Sequence, residues 1–193
     1  LVERLIEALG NQFEVESVRF MAAEALGGMQ NEKSVDSLLK ALKDDNVAVR
    51  YSAAAALSGR KDDRVVMALI ERLNDPDRYV RSSVAYALGT TGEPAALDAF
   101  FSCSKDDSEA VRFSAAKAIA SFNPDEVHAE LGRRLVKADR SMILLAVEIF
   151  ANIKDARSVK HLRGYLKSSD SDISYRASLA LAGTENADII EDL

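Results

Sequence analysis

A chain of 193 residues, 48% hydrophobic and 29% charged, is a folded protein with room for one domain or two small ones. Only nine Gly and three Pro, no Trp and 6% aromatics mean long regular elements around a small, aliphatic core, which argues against a β-sandwich or barrel. The single Cys103 excludes an internal disulfide and a Cys-based zinc site and fits a reducing, cytoplasmic compartment; a net charge of −6 argues against a general phosphate-backbone binder.

The chain opens at Leu1 directly inside a helical pattern, Val2/Leu5/Ile6/Leu9, with the i, i+3, i+4, i+7 spacing of an amphipathic helix. An opening without a polar cap fits a fragment whose first edge an upstream segment covers. Val18-Arg19 follows, and the pair recurs as Val49-Arg50, Val80-Arg81 and Val111-Arg112, each 31 residues on. Met142-Ile143 stands in the fifth place, and a weaker sixth copy begins two residues late at Tyr175-Arg176. Upstream of each copy lies a second column, Leu42, Leu73, Ser104, Leu135 and Leu166. Around it, Val35/Leu38/Leu39/Leu42 and Val66/Leu69/Ile70/Leu73 keep helical spacing. Each repeat is therefore two helices, A (about residues 34–43 in the second copy) and B (about residues 46–58). Pro94 and Pro124 suit A-helix starts, and Gly27, Gly59 and Gly89 suit left-handed B-helix ends.

One such pair cannot bury its apolar stripe, but stacked copies can. The expected fold is an all-α, right-handed α–α superhelix forming one domain over residues 1–193. Its repeats fall at about 1–30, 31–61, 62–92, 93–123, 124–154 and 155–193. The columns Ala22/Ala53/Val84/Ala115/Ala146 and Ala25/Ala56/Ala87/Ala118 are small because neighbouring B helices approach closely. No run of 18 apolar residues is present to span a membrane.

The motif Asp-x-x-x-x-Val-Arg-x-x-Ala-Ala-x-Ala-Leu-Gly resembles the short HEAT-like repeats named after phycobilisome lyases. Asp44/Arg50, Asp75/Arg81, Asp106/Arg112 and Asp170/Arg176 keep the six-residue spacing of that repeat type. The resemblance covers nearly the whole chain. It implies the armadillo-type fold and leaves function open, since its members include scaffolds, bilin-lyase subunits and DNA glycosylases. These residues are expected to form a structural ladder, each Asp capping a B helix or pairing with the Arg of its own or an adjacent repeat. At partly exposed sites such a pair contributes about 0.5–1 kcal/mol.

No cofactor or metal is expected. Cys103 and His128 fall at opposite ends of their A helices, on the order of 10 Å apart along the axis. His128 and His161, offset by 33 residues, fall at different heights without a clear carboxylate partner. No glycine-rich phosphate loop and no Gly-x-Ser-x-Gly elbow occurs.

The resemblance implies that B helices line a concave face. Its first outward column reads Phe20, Tyr51, Ser82, Phe113 and Leu144, bordered by Tyr79 and Tyr86. Exposed rings in a row would hold a peptide, a partner helix or a flat cofactor; packed over neighbouring turns, they would instead stabilise the stack. The fifth repeat breaks the pattern: Ile143 replaces Arg, Lys137 replaces Asp and Gly132 replaces Leu39/Ile70/Phe101. Ile143, Leu144, Leu145 and Val147 lack obvious cover, which makes them an expected docking patch for a partner or a second copy. The alternative is drift, with Phe122 or Phe150 filling a void at Gly132. The leading expectation is a non-enzymatic scaffold for a protein partner. A bilin-lyase-like subunit is the second, with Arg81 or Arg112 pairing propionates. A nucleic-acid binder is remote, because Glu24, Lys117 and Glu148 mix signs along the B helices.

Overall fold

The computed structural model describes residues 1–29 and 31–184, so residues 185–193 of the sixth expected repeat lie outside it. Among the described residues it has twelve α-helices and no strand. They pair as expected: α1 (Val2–Gly10) with α2 (Glu16–Gly27), α3 (Glu32–Ala41) with α4 (Val47–Ala56), and α5 (Asp63–Arg72) with α6 (Arg78–Thr91). The fourth A helix is broken into α7 (Leu97–Ser102) between two 3-10 turns, Pro94–Ala96 and Cys103–Lys105, and is followed by α8 (Glu109–Ala120). Next come α9 (Pro124–Arg134) with α10 (Arg140–Ile153), and α11 (Ala156–Tyr165) with α12 (Ser171–Ala182). The chain divides into two compact units, Leu1–Ala118 and residues from Ile119 onward, the division falling near the end of α8.

Four of the B helices start for the same chemical reason, whereas α2 follows Val15 without a side-chain cap. Asn46, Asp77, Asp139 and Asp170, on one 31-residue grid, precede α4, α6, α10 and α12, and their side chains accept backbone amides of the first turn. Pro124 opens α9, where its missing amide leaves nothing unpaired. At the other end Gly59 and Gly92 take left-handed backbone, at φ 72° and 66°, as does the non-glycine Lys154 after α10 at φ 57°. Gly27 and Gly89, expected to do so, are helical instead. A Cβ on Gly27 would sit 2.8 Å from Ala56 Cβ, and one on Gly89 2.7 Å from Ala118 Cβ. Both are glycines because two B helices meet there, against the small-residue column of Ala56 and Ala118.

In the first unit the core is Leu26, Leu38, Val49, Ala53, Leu57, Leu69, Val84, Leu88, Phe100, Phe101 and Val111, all fully buried. Between these helix pairs runs the ladder, which takes one of the expected pairings, that with the adjacent repeat. Arg50 donates from Nε and Nη2 to Asp75 at 2.8 and 3.0 Å, and Arg81 likewise to Asp106 at 2.7 and 2.8 Å. Arg19 clamps Asp44 with two bonds of 3.1 Å. Each arginine thus reaches a carboxylate 25 residues ahead, in the next repeat. The six-residue spacing marks a different contact: Nη1 of Arg50, Arg81 and Arg112 donates to the backbone carbonyls of Asp44, Asp75 and Asp106 at 2.9, 3.0 and 2.7 Å. The carboxylates do not cap helices; they accept the amides of Asn46, Asp77 and Ser108, the cap residues themselves. Hydrogen bonds donated to their aspartates hold the Arg19, Arg50 and Arg81 guanidinium groups above their ordinary pKa. Burial pushes Asp106 up, but Arg81 and the Ser108 amide outweigh it and keep that carboxyl low.

The second unit replaces this ladder. Arg140, in the first turn of α10, pairs with Asp170 at 2.6 Å and Asp172 at 2.9 Å. Arg176 pairs with Asp172 and Glu148, each at 2.9 Å. Asp170 and Arg176 are therefore not a fourth rung: Asp170 stands on the cap grid, and Ser168 and Ser174 hold the ladder places. Ile173 and Ala177, buried on the grid of Val111 and Ala115, show that the sixth copy is in register rather than two residues late.

Candidate partner-binding face

Outward positions of the B helices in the first unit carry the expected rings. Tyr51 is 44% exposed, Tyr79 60%, Tyr86 65% and Phe113 47%, while Phe20 is half-buried. The helical phase causes this. Burying Val49, Ala53 and Leu57 turns Tyr51 to solvent, and the same rotation in α6 and α8 exposes Tyr86 and Phe113. Between α2 and α4 lies a groove of about 460 Å3 lined by Phe20, Glu24, Gly27, Tyr51, Ala55 and Ala56 among others. Two of the rings already carry a cation: Arg78 lies 4.9 Å from the Tyr79 centroid and Lys117 5.9 Å from that of Phe113.

In the second unit the expected apolar patch shrinks. Leu145 and Val147 are 2% and 1% exposed, and Ile143 and Leu144 are half-buried. Leu145 stands in the column of Ser52 and Ser83, and Val147 in that of Ala54, Ala85 and Ala116, all buried or nearly so. The fifth repeat thus enlarges small core columns. Gly132 leaves no void in the core, because it is exposed and a Cβ there would point into open space. The residue sequence reasoning missed is Tyr175, 62% exposed in the Phe113 column of α12. With Leu179 it lines a groove of about 410 Å3 between α10 and α12.

His128 has the carboxylate partner it was expected to lack. Its Nε2 lies 3.0 and 3.1 Å from the Asp155 oxygens and 3.4 Å from Ser158 Oγ, and its ring stacks with those of Phe150 and His161 at 5.6 and 6.2 Å. The two histidines therefore come together rather than standing apart. Both polar partners address the same ring nitrogen, whereas a serine relay needs the carboxylate on the other one. The group is a helix-joining clamp: Asp155 also caps α11 by accepting the Ser158 amide at 2.7 Å. No group of three or more His, Cys, Asp or Glu that could hold a metal occurs among the described residues. Cys103 is buried and burial pushes its thiol up to about 11, which leaves it protonated and poorly nucleophilic. No helix of the described residues is long and apolar enough to cross a membrane.

Burial pushes the Asp155 carboxyl up, yet bonds from Ser158 and His128 outweigh it and hold it at about 2, against 3.8 for a free carboxyl. A depressed carboxyl stabilises the fold above its unfolded pKa and loses that contribution as pH falls toward the folded value. Urea midpoints of the wild type should therefore drop more steeply between pH 4 and pH 2 than those of Asp155→Asn, which keeps the cap but not the charge. Parallel pH profiles would show that this clamp contributes nothing.

Comparison with known proteins bears on the fold. The family model described as HEAT repeats matches residues 2–89 and 66–143. No curated protein matches the chain in sequence. Among solved structures, a designed armadillo repeat protein in complex with the peptide (KR)4 aligns with a TM-score of 0.55 at 19% identity, covering 95% of this chain and 99% of that one. The CpcE–CpcF complex of phycocyanin lyase from Nostoc sp. PCC7120 aligns at 0.55 and 22% identity, covering 95% and 82%. Human deoxyhypusine hydroxylase aligns at 0.50 and 16%, covering 98% and 87%. Identities this low speak for the fold alone. With 31-residue helix pairs, an Arg–Asp ladder and a family match over more than half its length, the chain belongs to the HEAT repeat family.

Proposed function

We propose that this chain is a non-enzymatic scaffold that holds an extended segment of a protein partner along the B-helix face of residues 1–118. The observation that carries the reading is the exposure of Tyr51, Tyr79, Tyr86 and Phe113 on three consecutive B helices. Tyr51 and Phe113 share one outward column and Tyr79 and Tyr86 border it, and such exposed rings offer rigid contact area at low entropic cost, as binding hot spots do. A designed repeat protein of this fold holds a peptide, which supports the use of such a face. The chromophore-handling alternative needs Arg81 or Arg112 for propionates. Arg81 is committed to Asp106, and Arg112 to the carbonyls of Asp106 and Asp107 at 2.7 and 3.1 Å.

The test is a random-peptide display selection on the full chain, followed by fluorescence anisotropy of the selected peptides. Replacing both Tyr79 and Tyr86 by alanine should weaken the selected peptides about tenfold or more. Unchanged affinity would place binding elsewhere. An absorbance shift with a bilin, and no selected peptide, would favour the chromophore reading.

A further inference from the structure

We propose that the groove between α2 and α4 holds a lysine or arginine side chain of the bound segment. This rests on the peptide-binding reading and states what one part of that face selects. Gly27, Ala55 and Ala56 offer a small-residue lining, Phe20 and Tyr51 contribute rings, and Glu24 is the one charged residue lining the groove. Glu24 is exposed and makes no ion pair among the described residues, unlike most acids beside the B helices. Four residues after Phe20, it lies on the same helical face as that ring.

The chain itself carries the complementary arrangement. In α8 the two columns are filled by Phe113 and Lys117, and the Lys117 ammonium lies 5.9 Å from the ring centroid. In α2 the ring of that column is followed by a carboxylate instead. A partner's cation entering the groove restores the cation-on-ring contact, lays its methylene stem along the apolar lining, and gives Glu24 the counterion it lacks. The opposite sign at Lys117 sets a direction: the basic residue of the segment belongs at α2–α4 and is repelled from α8.

The experiment uses three labelled peptides, (Arg-Leu)4, its citrulline counterpart (Cit-Leu)4, and (Glu-Leu)4, whose repetition removes the question of register. The full chain should bind (Arg-Leu)4 at least tenfold more tightly than (Cit-Leu)4. Glu24→Gln should remove about tenfold of that preference. Asp63→Asn, the same charge change on the exposed start of α5, should leave it intact. Equal binding of the arginine and citrulline peptides, or equal losses in the two variants, overturns the pocket and leaves only bulk attraction to an acidic protein. If the citrulline or glutamate peptide binds, and loses affinity in the Tyr79/Tyr86 double variant while Glu24→Gln changes nothing, the pocket falls and the wider face stands. Binding by none of the three overturns both.

Discussion

Asp75→Ala should lower the stability of the chain by about 3–5 kcal/mol, far more than the 0.5–1 kcal/mol assigned to partly exposed pairs. The difference lies in burial. The Asp75 side chain is 0% exposed and Arg50 is 11% exposed, so the pair is screened by protein rather than water. Truncation leaves the guanidinium with no counterion, and it cannot swing out, because its Nη1 also holds the carbonyls of Asp44 and Asp45 at 2.9 and 3.1 Å. The Asp77 amide loses its acceptor as well. A double replacement, Arg50→Met with Asp75→Leu, should recover most of the loss, since it removes the stranded charge while filling the volume. Asp36→Ala, which breaks the Arg64–Asp36 pair with side chains 53% and 55% exposed, should cost under about 1 kcal/mol. Urea unfolding of the full chain, followed by circular dichroism, separates these cases. An unfolding free energy for Asp75→Ala within about 1 kcal/mol of the wild type would mean that the stack does not depend on its central rung.

The repeat is legible because every column restates the same chemistry at a fixed interval. Val49, Val80 and Val111 reveal the buried side of each B helix, and the exposure of Tyr51, Tyr86 and Phe113 follows from that phase. Columns of small residues give no such signal. Alanine and serine suit either side of a helix, so the burial of Ser52 and Ala54 is silent, and their replacements Leu145 and Val147 read as an uncovered patch. Spacing misleads at the sixth repeat: Asp170 and Arg176 are six apart by coincidence, and following them hides Tyr175. The forward reach of Arg50 to Asp75, like that of His128 to Asp155, depends on how two repeats stack, and that is not written within either one. The cap grid through Asn46, Asp77, Asp139 and Asp170 could have fixed the register from sequence alone, because N-cap chemistry is local.

The close approach of B helices makes Gly27 the second sensitive point. Alanine at an ordinary helical glycine is favourable by up to about 1 kcal/mol, but at Gly27 the added Cβ would lie 2.8 Å from Ala56 Cβ and 2.9 Å from Ala56 Cα. Backbone cannot rotate out of the way, so α2 and α4 must separate, and overpacking of this kind should cost roughly 2 kcal/mol net. For a chain of this length that is a fall in melting temperature of about 4–8 °C. Gly28→Ala is the control, since its Cβ would find its nearest neighbour at 3.8 Å and should leave the melting temperature unchanged or raised. Compensation distinguishes steric causes. At Gly89 the conflict is with Ala118 Cβ at 2.7 Å while Ala118 Cα stands at 3.4 Å, so Gly89→Ala should be rescued by Ala118→Gly. Gly27→Ala should be rescued only in part by Ala56→Gly, because the clash with the backbone of residue 56 persists. If Gly27→Ala melts with the wild type, the two helices have slack at their crossing, and the small columns have some other cause than close approach.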